Sequence, residues 1–280
     1  MIISASRRTD IPWFYSDWFF NRVGEGFVSV CNPMNFSQTR RVSLSPENVG
    51  GIVFWTKNPG PMLARLEELR NYRFYFQYTL TPYGTEIEPR ASELRTAAET
   101  FRRLGDALGP DRVVWRYDPI LINVKYSVEY HLNVFGELAR KLRDSTKTVT
   151  VSFIETGYRN AKANKAKLNL TEISMGEKIE MLRKLAITAA NRGIELNSCA
   201  PGEELDAAGI KKARCVDGEL FGIPHKKAKG QRPGCGCAES VDVGAYNSCT
   251  GGCAYCYANY NPATIESNAA RHDVKSPFII

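Results

Sequence analysis

The sequence predicts an α/β protein built on a parallel sheet or barrel, and three observations carry that reading. Short apolar runs alternate with amphipathic helical stretches along most of the chain, the order that lays helices over a parallel sheet. GIVFWT at 51–56 is a continuous apolar run, and TVTVSFI at 148–154 is β-branched and largely apolar, the pattern of buried strands. The chain has 280 residues, 43% hydrophobic and 24% charged, enough for one domain of barrel size or one domain with an appendage.

Taken in order, residues 1–4 form a short apolar run. Residues 11–23 are aromatic-rich with Pro12 near the start, which predicts a helix entered at its first turn. Residues 51–56 read as a strand, and 61–70 as a helix with Met62, Leu63, Leu66 and Leu69 on one side. Residues 72–81 are aromatic and β-branched, another strand. A helix over 91–108 follows, then a strand over 112–117 ended by Asp118-Pro119. Residues 128–142 form a helix with Ser127 as N-cap, and 148–154 a strand. Residues 174–192 make a long helix, opened by a Ser174–Glu177 capping box and stopped by Gly193. Residues 194–198 and 241–244 supply two more strands. Between them, 199–238 is rich in Gly, Lys and Cys and poor in apolar runs, an irregular insertion. The expected division is a main β/α part at 1–198, the cysteine-rich insertion at 199–238, and a closing strand, cysteine loop and C-terminal helix at 239–280.

No apolar run approaches the roughly 18 residues of a membrane span. The opening MIISASRR is no signal peptide, since its apolar part is too short and precedes the charges. The expectation is a cytoplasmic protein with no membrane partner. There, eight cysteines mean metal or redox chemistry before disulfides. Much of the net charge of +7 lies in Lys211, Lys212, Arg214, Lys226, Lys227, Lys229 and Arg232. This admits a nucleic acid or other anionic partner, but a solvated basic face is the commoner origin of such a run, so nucleic acid is not favoured. His131, His225 and His272 show no ligand spacing and read as structural or surface residues. Phe54, Trp55 and Trp115 read as core, and the isolated Cys31 as a buried small hydrophobe.

The chemistry concentrates in CTGGCAYC at 249–256. Cys249, Cys253 and Cys256 stand at CxxxCxxC spacing, with Tyr255 before the last. Three thiolates on one tight loop hold three irons of a [4Fe–4S] cluster and leave the fourth open. Gly251 and Gly252 let the loop fold tightly. Zinc is the rival, but it usually takes four ligands from paired units, and this trio is not paired. A disulfide set is a second rival.

The spacing with Tyr255 resembles the cluster motif of the radical S-adenosylmethionine enzymes, CxxxCxΦC with Φ aromatic. The resemblance implies that the open iron is chelated by the amino and carboxylate groups of S-adenosylmethionine, with Tyr255 beside the adenine. It further implies that an electron from an external flavodoxin- or ferredoxin-like donor yields a 5′-deoxyadenosyl radical. The fold implied is a partial (β/α)6 barrel whose cysteine loop follows the first strand. Here the loop comes near the end of the chain, so the barrel is expected to be circularly permuted: 241–244 as first unit, 1–4 as second strand, then 51–56, 72–81, 112–117 and 148–154. Thr56-Lys57-Asn58-Pro59, the run from Thr79 to Thr81 with Glu88-Pro89, and Ser6 to Asp10 are similar in order to turns of the spore photoproduct lyase-like branch. As a whole the chain resembles an uncharacterised bacterial family with a radical-SAM-like C-terminal cysteine cluster. It does so through SASRRTDIP, FWTKNP, TLTPYG, WRYDPI, CGC and YNSCTGGCAYCYAN.

Barrel enzymes place their sites at the C-terminal ends of strands, which singles out Ser6, Thr9, Lys57, Thr79, Arg116, Asp118 and Glu155. The resemblance implies that the Ser4–Thr9 turn, with Ser6 and Thr9, meets the methionine end of S-adenosylmethionine, and that Lys57 and Thr79 hold its carboxylate or ribose. Arg116 suits a bidentate clamp on a carboxylate. Buried ion pairs or strand-end hydrogen bonds account for the same residues without a ligand. Cys199, Cys215, Cys235 and Cys237 remain. Four thiolates suit an auxiliary [4Fe–4S] cluster or tetrahedral zinc, and the tight Cys235-Gly-Cys237 favours the cluster; unligated buried thiols are the third reading. The function expected is that of a radical S-adenosylmethionine enzyme. Its rivals are a non-catalytic iron–sulfur electron carrier or redox sensor, a nucleic-acid-acting lyase-like enzyme, and a zinc-stabilised binding module.

Overall fold

A computed structural model describes residues 1–199, 209–229, 231 and 234–280, with only the backbone of Phe36. Its first half contains β1 (Ile2–Ala5), α1 (Ile11–Phe14), α2 (Ser16–Glu25), β2 (Phe27–Asn32), β3 (Asn35–Ser43), β4 (Gly51–Thr56), α3 (Gly60–Leu63), β5 (Phe74–Thr79), α4 (Leu94–Leu108) and β6 (Val113–Ile120). Then come α5 (Val128–Leu142), β7 (Thr148–Phe153), α6 (Arg159–Ala163), α7 (Lys165–Leu168), α8 (Met175–Ala190), β8 (Glu195–Ser198), β9 (Lys211–Lys212), β10 (Val241–Asp242) and α9 (Pro262–Arg271). Of the basic run noted above, Arg232 lies outside the described residues, as does 200–208 of the insertion.

Eight strands form one sheet in the order β10-β1-β4-β5-β6-β7-β8-β9, and each pairing is parallel. The last strand in sequence therefore lies beside the first, with Ile3 opposite Val241 and Ser4 opposite Asp242. Because all eight run the same way, the loops after β10, β1, β4, β5, β6 and β7 share one rim. Successive residues of a strand face opposite sides. One side carries Ile3, Phe54, Phe76, Trp115 and Val151 into the main core, against Phe19, Phe101, Phe135 and Leu182 of the helices. The other carries Ile2, Val53, Tyr75 and Val114 against Val216, Phe221 and Ala238 of the cysteine-rich segment. That segment thus covers the second face, and β9 within it extends the sheet.

Ser127 accepts from the Tyr130 N–H, and the Ser174–Glu177 capping box is complete. Elsewhere the structure departs from expectation. The helix over 11–23 is two helices, because Tyr15 takes φ −135° and ψ 25° between them. The helix over 61–70 is a single turn and a 3-10 turn at Leu66–Leu69, separated by Arg65 at φ −119°. Strand β6 does not end at Asp118-Pro119. It runs on to Ile120, with a register shift after Tyr117, an irregularity that accommodates a residue without an N–H. The antiparallel hairpin β2–β3 had no clear apolar alternation to announce it. Cys31, on that hairpin, is half-buried rather than buried. Trp55 is half-buried and packs beside the second face, whereas Phe54 and Trp115 are core.

Candidate functional site

The cysteine loop is fixed to the β1 end by a network that uses nearly every polar residue of 4–10. Asp242, at the end of β10, accepts from Ser4 Oγ at 3.0 Å, Ser6 Oγ at 2.5 Å, the Arg7 N–H at 2.9 Å and the Gly244 N–H at 3.1 Å. Thr9 Oγ1 accepts from the Ala245 N–H at 3.1 Å and lies 2.5 Å from Ser248 Oγ, while Tyr15 donates to the Ser248 carbonyl at 2.5 Å. Asn259 bridges the two halves. Its Oδ1 accepts from the Cys249 N–H at 2.9 Å, and its Nδ2 donates to the Arg8 carbonyl at 2.9 Å and faces Cys256 Sγ at 3.5 Å. On the far side, Asn160 and Asn164 donate to the Cys253 and Ala254 carbonyls at 3.3 and 2.9 Å. Gly252 turns the loop at φ +72°, a conformation that costs glycine little.

All three cysteines of this loop are half-buried residues at the rim. Burial against the protein pushes the Cys249 thiol up to about 12, helped by the Asp10 carboxylate, while the backbone N–H groups of Asp10 and Gly251 bond its sulfur and oppose the rise. Burial raises Cys253 too, against the pull of Lys57. Asp10, the N-cap of α1, accepts from the Trp13 N–H at 3.1 Å and the Lys57 N–H at 2.7 Å. Burial lifts its carboxyl to about 7 in spite of these bonds.

Next to Cys253, Lys57 Nζ pairs with Glu88 Oε1 at 2.8 Å and bonds Thr81 Oγ1 at 3.0 Å. The same Glu88 oxygen accepts from Thr81 at 2.7 Å and from Tyr255 OH at 2.5 Å. Lys57 Nζ lies 5.8 Å from the Tyr255 ring. The strand-end lysine and the aromatic of the cysteine motif, 198 residues apart in sequence, thus meet through one buried carboxylate.

The other rim candidates divide. Ser6, Thr9 and Lys57 converge on the cysteine loop, as described. Thr79 is in register with Arg116, and Glu155 lies exposed just past β7. Arg116 and Asp118 belong to the second face. Arg116 pairs there with Asp118 and donates to Cys215 Sγ at 3.0 Å, and Asp118 accepts from Ser152. Cys215 has its carbonyl held by Tyr75 OH and Gln77 Nε2, both at 2.9 Å. Cys199 Sγ lies 3.7 Å from Cys215 Sγ. Cys237 hydrogen-bonds the thiols of Cys215 and Cys235, so these four cysteines form one group on the second face. Their protons are shared unequally: Cys199 and Cys237 are lowered, chiefly by hydrogen bonds from Cys215, which itself is raised. Among the described residues no three His, Cys, Asp or Glu are already arranged around a common ion position.

The sequence reading missed Asp242, Asn259 and Arg7, and with them the loop's further holders Tyr15, Ser248, Asn160 and Asn164. Asn259 closes the same short motif, YCYAN, and an amide so near three cysteines is the signal that was available. No such signal marks Asp242, whose role depends on β10 pairing with β1.

The chain belongs to the family described as Domain of unknown function (DUF1848), whose pattern it matches over residues 2–258. No curated protein and no solved structure matches it. Among the described residues no helix is long and apolar enough to cross a membrane.

Proposed function

We propose that this chain is a radical S-adenosylmethionine enzyme with a [4Fe–4S] cluster on Cys249, Cys253 and Cys256. The observation that carries the reading is the setting of those thiols. They come from one loop at the C-terminal rim of a parallel sheet, with N–H groups of Asp10 and Gly251 bonded to one sulfur and the Asn259 amide facing another. Such donors oppose the rise that burial causes at Cys249, and a three-thiolate set suits iron–sulfur ligation with one iron left open. The strand order supports a permuted (β/α)6 reading, since β10 and its loop precede β1, β4, β5, β6 and β7 in space while following them in sequence.

When bound and reduced, the cluster supplies the electron that cleaves S-adenosylmethionine and starts radical chemistry on a substrate. The protein's part is binding and orientation. Tyr255 is held by Glu88, and Glu88 by Lys57 and Thr81, so the ring beside the cluster is fixed before any ligand arrives. Ser6 and Thr9 hold the turn after β1 against the cysteine loop. An external flavodoxin- or ferredoxin-like protein supplies the electron. A cavity of about 690 Å³ beside β10 is lined by Arg7, Arg8, Arg40, Tyr246 and Tyr257. With three arginines against the one carboxylate of Asp242, the wall favours an anionic substrate; the nucleic-acid-acting alternative, motivated by the basic insertion, predicts salt-dependent oligonucleotide binding.

The test is anaerobic reconstitution, reduction with dithionite, addition of S-adenosylmethionine and quantification of 5′-deoxyadenosine, beside a Cys253→Ala control. Product that depends on Cys253 is the expected outcome. A confirmed, reducible cluster that yields none would favour an electron carrier or redox sensor instead.

A further inference from the structure

We propose that Cys199, Cys215, Cys235 and Cys237 bind one zinc-class divalent ion as a tetrathiolate site against the second face of the sheet, with Arg7 and Arg116 as its counter-charges. This does not depend on the radical reading of the rim loop. The thiols come from three places in the chain: the residue after β8, the segment after β9, and the Cys235-Gly-Cys237 turn. They are strung in contact as Cys199, Cys215, Cys237 and Cys235, and ligation closes that string around an ion.

One sulfur–sulfur spacing bears on the kind of site. Two thiolates on one tetrahedral ion, each about 2.3 Å from it, stand about 3.8 Å apart. In a [4Fe–4S] cluster each thiolate binds its own iron, so the sulfurs stand farther apart. The Cys199–Cys215 separation is 3.7 Å, which favours one shared ion over a second cluster, the reverse of what the Cys-Gly-Cys spacing alone suggests.

Charge supports the same site. Four thiolates and one divalent ion leave two negative charges, and two guanidinium groups face them. Arg116 bonds Cys215 and is attracted also to Cys199 and Cys237; Arg7 is attracted to Cys237 and Cys215. Both lie over the Trp55 ring, at 5.0 and 5.2 Å, a stacking that fixes them relative to each other. Arg7 Nη2 is buried without a hydrogen-bond partner among the described residues, a donor left over for a ligated sulfur.

The turn carrying two of the ligands is held in place independently. A Cβ on Gly236 would come within 3.1 Å of the Ala213 carbonyl, so glycine permits the close approach. His225 lies between Asp217 Oδ1 at 3.1 Å and the Gly236 carbonyl at 2.9 Å. An ion here would clamp a segment poor in apolar residues onto the sheet, the usual role of a structural metal.

The test uses full-length protein with Cys249, Cys253 and Cys256 all changed to Ala, produced with zinc. One zinc per chain without acid-labile sulfide is expected, as is a tetrahedral tetrathiolate spectrum on cobalt substitution that Cys215→Ser or Cys235→Ser alters. Zinc-edge X-ray absorption on the otherwise unaltered protein should show four sulfurs at about 2.3 Å, and stands even if a variant fails to fold. Acid-labile sulfide and iron in the triple variant, a Cys199–Cys215 disulfide without metal, or no bound metal would each overturn the proposal.

Discussion

The two cysteine groups differ in what surrounds the sulfur. At the rim, three thiols share one eight-residue loop and are met chiefly by neutral donors, backbone N–H groups at Cys249 and the Asn259 amide at Cys256, with Lys57 as the one cation acting on Cys253. On the second face, four thiols from distant points are pressed against the sheet and met by two guanidinium groups. A centre that must bind a ligand needs an open position and access. A centre that only holds structure needs a full ligand set and charge balance. The two proposals assign these arrangements to different groups, three cysteines at the rim and four on the second face.

The largest effect that would sharpen this contrast concerns the support of the rim loop. Lys57→Ala leaves the Glu88 carboxylate, 3% exposed, without its cation. Breaking a buried pair from one side costs about 3–5 kcal/mol. The double variant Lys57→Ala/Glu88→Gln should recover much of that loss, so a denaturant double-mutant cycle reads the coupling directly. A loss no larger in Lys57→Ala than in the double variant would mean the pair does not anchor Tyr255.

His131 gives a pH test remote from both centres. It is buried between Tyr117 OH at 2.7 Å and the Leu121 carbonyl at 2.9 Å, and burial lowers its pKa to about 4. The unfolded chain takes up a proton near pH 6.5 while the folded chain does not, so unfolded molecules bind more protons between the two values. The contribution of His131 is therefore full above about pH 6.5 and is lost as pH drops toward 4, by about 3 kcal/mol. Asp10, lifted to about 7, contributes with the opposite sign in both proteins, so the quantity to measure is the stability difference between the native chain and His131→Gln, which should shift against the native chain as pH falls across that window.

The smallest expected effect is at Asn259. Replacing it with Ala removes the acceptor of the Cys249 N–H and should cost about 1 kcal/mol. Hydrogen exchange at the Cys249 amide should quicken more than exchange in β4 or β5. Equal acceleration throughout would make Asn259 a general structural residue rather than a loop anchor.

Much of this was legible because local signals suffice for it. The apolar runs at 51–56 and 148–154, the cap at Ser127 and the capping box at Ser174 are written within a few residues. The trio at Cys249, Cys253 and Cys256 is likewise a local motif. What escaped depends on distant partners. Arg116 reads as a clamp for a ligand carboxylate, yet it is engaged by Asp118, itself a strand-end candidate, and by Cys215, 99 residues away, which no strand-end pattern reveals. The hairpin β2–β3 is too polar to stand out, and the break falls at Tyr15, whose hydroxyl bonds the distant Ser248 carbonyl. The separation of the two cysteine groups is a tertiary fact, set by which face and which edge of the sheet each segment reaches.

The most direct test of the central claim is electron paramagnetic resonance of the reconstituted, reduced protein with and without S-adenosylmethionine, in the native chain and in Cys215→Ser and Cys253→Ala. The account predicts a cluster signal whose g values shift when S-adenosylmethionine is added, in the native chain and in Cys215→Ser alike, and that is lost or no longer responds in Cys253→Ala. A signal indifferent to S-adenosylmethionine, or one that depends on Cys215 rather than Cys253, would contradict it.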